Sequence, residues 1–204
     1  RSVVHVEIFE MRIEPLAGPN FKLKLRKIEK FNPFRNTPET PGKKSRLATE
    51  TDSWRFLCNI EITNCLNVKL ANKKNFYCNS ENNDFIPSEV LPFRREKCFV
   101  ANDTKVESMF CYEIDTTDLT FVIALKVEPN KNNSFAAEFL ERPVVTDETE
   151  LKALMDPKQW KTHLYRKYAT ASEDVQVIQI RNILAEVEMT DEDHSSVKIR
   201  IYAV

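Results

Sequence analysis

The stretch VESMFCYEIDTTDLTFVIALKV, residues 106–127, decides the fold. In its first half Val106, Ser108, Phe110, Tyr112 and Ile114 alternate with Lys105, Glu107 and Glu113, the period of a strand with one buried face. Asp115-Thr116-Thr117-Asp118 then reads as a turn. Leu119 to Val127 is nearly all apolar, which predicts a central strand covered on both faces. Working towards the N-terminus, Trp54, Phe56, Cys58, Ile60 and Ile62 alternate with Arg55, Asn59, Glu61 and Thr63, and a shorter strand is expected at Leu66 to Leu70. Val4, Val6 and Ile8 alternate with His5, Glu7 and Phe9. Phe21, Leu23 and Leu25 alternate with Lys22, Lys24 and Arg26, a half-buried strand with a basic outer face.

Helical signals lie only beyond residue 134. Thr146 or Asp147 caps a segment carrying Leu151, Leu154 and Met155. Asp156-Pro157 reads as a second N-cap with proline at the first helical position, and Trp160, Leu164 and Tyr168 follow as an apolar stripe at i, i+4 and i+8. Strand patterning returns from Val175 to Met189, passes an acidic turn at Thr190 to Ser196, and ends with Val197, Ile199 and Ile201 against Lys198 and Arg200. Strands, then helices, then a hairpin predict a β-rich α+β fold: an antiparallel β-sandwich-like core with a helical insertion and a C-terminal β-hairpin. The expected organisation is a sandwich-like part over residues 1–130, with long loops at 32–53 and 79–97. Two short helices and the hairpin, over residues 131–204, would pack on the same domain.

Composition narrows the function by exclusion. The chain has 204 residues, 42% of them hydrophobic, and its net charge of −1 makes no general argument for nucleic acid or membrane. No run of apolar residues is long enough to span a bilayer as a helix. Only two glycines occur, Gly18 and Gly42, so no P-loop, dinucleotide fingerprint or nucleophile elbow can be written. Five cysteines, an odd number without a C-x-x-C pair, and three scattered histidines do not make a zinc pattern. We read the cysteines as buried, reduced thiols and the protein as intracellular, cytoplasmic or nuclear. The glycosylation triplets Asn102-Asp103-Thr104 and Asn132-Asn133-Ser134 point the other way.

Two candidate sites stand out, both early in the chain. Thr37-Pro38 and Thr40-Pro41-Gly42-Lys43 fit proline-directed phosphorylation at Thr37 and Thr40. A phosphate there would lie beside Lys43, Lys44 and Arg46, which supply charge-assisted hydrogen bonds. Lys22, Lys24 and Arg26 together with Lys43, Lys44 and Arg46 form a candidate basic binding face, with Phe31 and Phe34 near enough to stack bases. A lysine-lined strand also serves simply as a protected sheet edge. The carboxylates Asp191, Glu192 and Asp193 sit in an apparent turn and read as solvated.

Around Trp54 the sequence resembles the MATH domain, the TRAF-like eight-stranded sandwich. Phe21-Lys22-Leu23-Lys24-Leu25 precedes Asp52-Ser53-Trp54-Arg55-Phe56, and Leu66-Asn67-Val68-Lys69-Leu70 follows at the family's distance. Phe99-Val100-Ala101-Asn102-Asp103-Thr104 is similar to the phrase before the family's last strand. The resemblance covers residues 18–115. It implies a peptide-binding adaptor that docks extended segments on one sheet. The expected function is therefore a non-enzymatic protein-interaction domain within a larger complex, with a protein partner, no cofactor, no metal and no membrane partner. The alternative is a nucleic-acid-associated module of a regulatory or silencing complex, using the basic 22–46 region.

Overall fold

A computed structural model describes residues 9–10, 26–27, 54–78, 86–141, 144–159 and 163–204. The chain divides into two units, Arg1–Glu39 and Thr40–Val204. In the first, β1 (Phe9–Glu10) pairs antiparallel with β2 (Arg26–Lys27), so that Phe9 faces Lys27 and Glu10 faces Arg26. The strands expected over Val4–Phe9 and Phe21–Arg26 otherwise lie outside the described residues, as does the 32–53 loop.

The second unit is a β-sandwich. Its strands are β3 (Phe56–Asn64), β4 (Leu70–Tyr77), β5 (Arg94–Asn102), β6 (Val106–Ile114), β7 (Leu119–Val127), β8 (Ser134–Glu141), β9 (Arg166–Thr170), β10 (Ser172–Ile180), β11 (Ile183–Met189) and β12 (His194–Ala203). They form two five-stranded sheets, β10-β11-β12-β3-β5 and β4-β6-β7-β8-β9. All described pairings in these sheets are antiparallel except β12 with β3, which run parallel with Val197 opposite Ile60. The segment after residue 131 is thus no appendage: β8 and β9 complete one sheet, and β10 to β12 supply three strands of the other.

The core follows from the alternation. Phe56, Cys58, Ile60 and Ile62 face Phe110, Tyr112, Ile114, Phe121 and Phe139 across the sandwich, all essentially without solvent exposure. Phe121 and Phe139 meet edge to face at 5.5 Å, a geometry favoured by the ring quadrupoles. β7 is the middle strand of its sheet, and its second face is covered too. Val122 and Ala124 join Met109, Cys111 and Ala136 beneath α1 (Glu148–Leu154), which lowers Leu151 and Leu154 onto them. Asp147 is the N-cap of α1 and accepts a hydrogen bond from the Glu150 amide at 2.9 Å.

Four expectations need correction. Where a helix is expected after Asp156 the described residues show a 3-10 turn, Pro157–Gln159; Trp160 lies outside the described residues, Leu164 is exposed and Tyr168 lies in β9. The i, i+4, i+8 stripe gave way to ladder pairing of Arg166–Thr170 with β8. Val175–Met189 is not one strand but two, joined by a two-residue turn in which Arg181 takes φ 53°. The strand expected at 66–70 starts only at Leu70, because the Asn64 side chain accepts from the Leu66 amide at 3.0 Å and turns the chain there. Finally, the 79–97 loop ends early. Arg94–Lys97 already belongs to β5, where charged residues suit a sheet edge.

The chain crosses between the sheets four times, and two of these crossings are made by small devices. After β5, the Asn102 side-chain oxygen accepts from the Thr104 amide (2.8 Å), the Thr104 hydroxyl (2.7 Å) and the Lys105 amide (3.3 Å), an Asx turn that carries the strand into β6. Between β9 and β10 the Ala171 amide donates to the Asn133 carbonyl at 2.6 Å, and the strand changes sheet there.

Candidate functional site

Most of the residues singled out in the sequence lie outside the described part: Thr37, Thr40, Lys22, Lys24, Lys43, Lys44 and Arg46. Arg26 is described only as a backbone position of β2. The candidate basic face and the candidate phosphorylation sites therefore lie outside the described residues.

Among the described residues Cys58 and Cys98 lie near each other in the core, on β3 and β5, but no cysteine joins a histidine in a metal-holding group. Cys58, Cys98 and Cys111 are buried, and burial pushes the Cys58 thiol far above its ordinary value. Cys65 and Cys78 are half-buried, with burial again the first cause of raised thiol values. Such thiols are poor nucleophiles. His163 stacks on Tyr165, whereas His194 sits at the start of β12 with Nε2 2.9 Å from the Trp54 carbonyl oxygen. Among the described residues no group of three His, Cys, Asp or Glu side chains could hold a metal ion.

The acidic turn has a structural task. Asp191 accepts from the Asn133 amide at 2.7 Å, and the buried Asn133 side chain donates to the Thr190 and Glu192 carbonyls at 3.1 and 2.8 Å. These bonds clasp the 190–193 turn to the turn before β8. Above the clasp lies an open cleft of about 300 Å³ lined by Glu128, Lys131, Asp191 and Asp193 among others, and Lys131 pairs with Glu128 at 3.3 Å.

The remaining features are surfaces. On the outer face of the β10-to-β5 sheet, charges pair across strands: Lys198 with Glu188 at 2.6 Å, Arg200 with Glu186 at 2.7 Å, and Lys97 with Glu61 at 3.4 Å. Tyr202 donates to Glu186 at 2.8 Å; burial first, then this hydrogen bond, pushes its hydroxyl up to about 12. This face is neutralised pair by pair, the arrangement of a solvated surface.

The sheet edges differ from one another. β4 carries a register shift between Ala71 and Lys74, with Asn72 at φ 51°, and β9 is five residues long and charged. Bulges, shortness and charge all blunt an edge. Among the described residues β10 spans nine residues at the end of its sheet; it too carries a register shift, between Ser172 and Gln176, but it pairs regularly with β11 from Gln176 to Ile180, and Val175 and Val177 are 47% and 50% exposed. Its Gln179 amide donates away from β11, to the Leu164 carbonyl at 2.6 Å. By strand alternation the amide and carbonyl of Val177 point out along the same edge. Leu164 itself, 81% exposed, continues the apolar rim.

A second apolar surface lies at the turn before β5. Leu91 and Phe93 are 49% and 52% exposed, the Arg94 amide donates to the Leu91 carbonyl at 3.2 Å, and Phe93 has φ 56°. Neither surface is among the expectations drawn from the sequence. The available signals were Leu91-Pro92-Phe93 inside an otherwise polar segment, and valines rather than charges on the outward positions of β10.

No family model matches the chain, and no curated protein matches it. Among solved structures it is similar to the lipid binding protein Nakanori, with a TM-score of 0.59 and 8% identity over 78% of this chain and 77% of that one. The likeness bears out the β-rich architecture; at this identity it speaks of the fold alone.

Proposed function

We propose that this chain is a non-enzymatic protein-interaction module that takes an extended peptide by strand addition along β10. One observation carries the reading: β10 lies at its sheet's edge among the described residues, with exposed valines at 175 and 177 and, in the stretch that pairs regularly with β11, an outward-pointing backbone at Val177. An added strand would gain main-chain hydrogen bonds from that edge, and its alternate side chains would lie against Val175 and Val177. The MATH resemblance around Trp54 agrees with an adaptor of extended segments. No described helix is long and apolar enough to cross a membrane.

The test is selection of binding peptides on the purified chain, followed by titration onto Val177→Pro. Proline at an edge position whose amide faces outward removes the docking hydrogen bond while leaving the ladder to β11 intact. Peptides that bind the parent chain and lose about tenfold or more in affinity on the variant support the reading. Peptides that bind both alike defeat it. Retention from lysate that vanishes on nuclease treatment moves the function to the basic 22–46 region instead.

A further inference from the structure

The turn at Leu91–Arg94 is a separate surface, and its construction is unusual for a connection. A reversal with proline second and a positive φ third is the geometry in which glycine normally occupies the third position. Here that position is Phe93, with φ 56°. The other described non-glycine residues with positive φ are Asn72, Thr116, Asn130 and Arg181. Asparagine visits that region readily, and none of the four is apolar; a phenylalanine is the costly choice. Its side chain does not repay the strain by packing inward, because it is 52% exposed, beside Leu91 at 49%.

The base of the turn is rigid. Val90 is buried and exchanges both backbone hydrogen bonds with Leu70, each 2.9 Å. The wholly buried Asn64 side chain reaches up from β3 and donates to the carbonyls of Val90 (3.1 Å), Leu91 (3.2 Å) and Val68 (2.8 Å). Tyr112, from the opposite sheet, donates its hydroxyl to the Pro87 carbonyl. Two large apolar side chains are thus held in solvent by a fixed support, a preorganised arrangement that suits binding.

Charge identifies the occupant. Arg94 follows directly, is exposed, and has no carboxylate partner among the described residues. Arg95 lies 3.7 Å from Glu61, and Lys69 pairs with Glu89 at 3.3 Å beside the turn. An apolar tip with an uncommitted guanidinium at its shoulder complements the boundary of an anionic bilayer, where acyl chains lie just beneath phosphates. We propose that this turn is a peripheral membrane contact: Leu91 and Phe93 enter the acyl boundary of an anionic phospholipid surface, and Arg94 binds headgroup phosphates. The sequence-based expectation of no membrane partner rested on net charge and on the lack of a spanning stretch, and neither bears on a contact of this kind.

The experiment is co-sedimentation of the full chain with phosphatidylcholine vesicles, with and without about one-third phosphatidylserine. Binding is expected to the anionic vesicles, and to weaken with salt. Phe93→Gly is the decisive variant, since glycine relaxes the positive-φ backbone and removes a ring that is half in solvent. It should unfold no more easily than the parent chain and lose about tenfold or more in partitioning. Arg94→Gln should lose about fivefold. Val177→Pro should bind vesicles as the parent does, which separates this surface from the β10 edge. Parent protein that ignores anionic vesicles, or Phe93→Gly that partitions undiminished, overturns the proposal; capture of a protein through Phe93 without any vesicle binding does so as well.

Discussion

The two sheets share one core but differ on their outer faces. Behind β6, β7 and β8, the outer face is apolar and capped by α1, with Met109, Cys111, Val122 and Ala124 all buried. Behind β11, β12 and β3, it carries Glu186, Glu188, Lys198, Arg200 and Glu61 in cross-strand pairs. The strand patterns record this difference. β7 is buried at almost every position, whereas β12 alternates buried Val197, Ile199 and Ile201 with exposed Lys198 and Arg200. A continuous apolar strand therefore marks a sheet covered twice, and an alternating one marks a sheet covered once. The exception on the solvated side is a small buried group, Leu57, Phe99 and Ala101 with Trp54 against it, at the other end of the charged face.

The largest expected effect comes from uncovering the capped face. Leu154→Ala should cost about 2–5 kcal/mol, because α1 holds on through Leu151, Leu154 and Met155 and has little else to bury. A urea midpoint unchanged by this substitution would mean that the helix does not cover the sheet in solution.

Two carboxylates on that face should respond to pH in opposite directions. Burial raises Glu107, but hydrogen bonds and charges from Lys105 and Lys126, each 2.7 Å away, outweigh it and hold the group below its ordinary value of 4.5. Burial raises Glu138 above that value, only partly offset by Arg166 at 3.3 Å. A lowered folded value means that the stabilisation from Glu107 is present above the ordinary value and is lost as pH falls through the depressed one. A raised folded value means that the contribution of Glu138 is present below the ordinary value and is lost as pH rises through the raised one. Urea unfolding between about pH 3 and pH 7 should show the parent's advantage over Glu107→Gln growing with pH, and its advantage over Glu138→Gln shrinking. Parallel slopes would contradict these assignments.

The smallest effect belongs to the solvated face. Lys198→Ala breaks an exposed pair with Glu188 and should cost less than about 1 kcal/mol, diminishing further with added salt. A loss as large as that of Leu154→Ala would mean that this face is covered in the folded protein.

Legibility in the sequence followed the strength of local pattern. Leu119–Val127 reads as a central strand buried on both faces, and it is the middle strand of its sheet. Phe56 to Ile62 and Val106 to Ile114 put the expected side chains into the core. Asp147 caps the one α-helix described. The failures fall where local signals conflict. Leu164 and Tyr168 have helical spacing, but pairing with β8 takes Tyr168 into a strand. Arg94–Lys97 has loop composition, but β3 offers it a ladder. The surfaces on which both functional proposals stand have no distinct pattern in the sequence. A valine on an outward edge position looks the same in sequence as a core valine, and a phenylalanine in a turn does not announce its exposure.

By itself, the sequence determined that the second unit is built from strands, which of their faces turn inward, where the capped helix begins, and that no glycine-built phosphate or nucleophile loop is present. These follow from periodicity and residue chemistry, which act over a few neighbouring positions. Only the tertiary structure decided that β12 returns to lie parallel with β3, that β9 and β10 divide between sheets at Ala171, that β10 is left as an edge, and that Asn64 holds Leu91 and Phe93 out into solvent. Those outcomes depend on which distant strands meet, and the choice among them is made by the shared core rather than by any residue's neighbours in the chain.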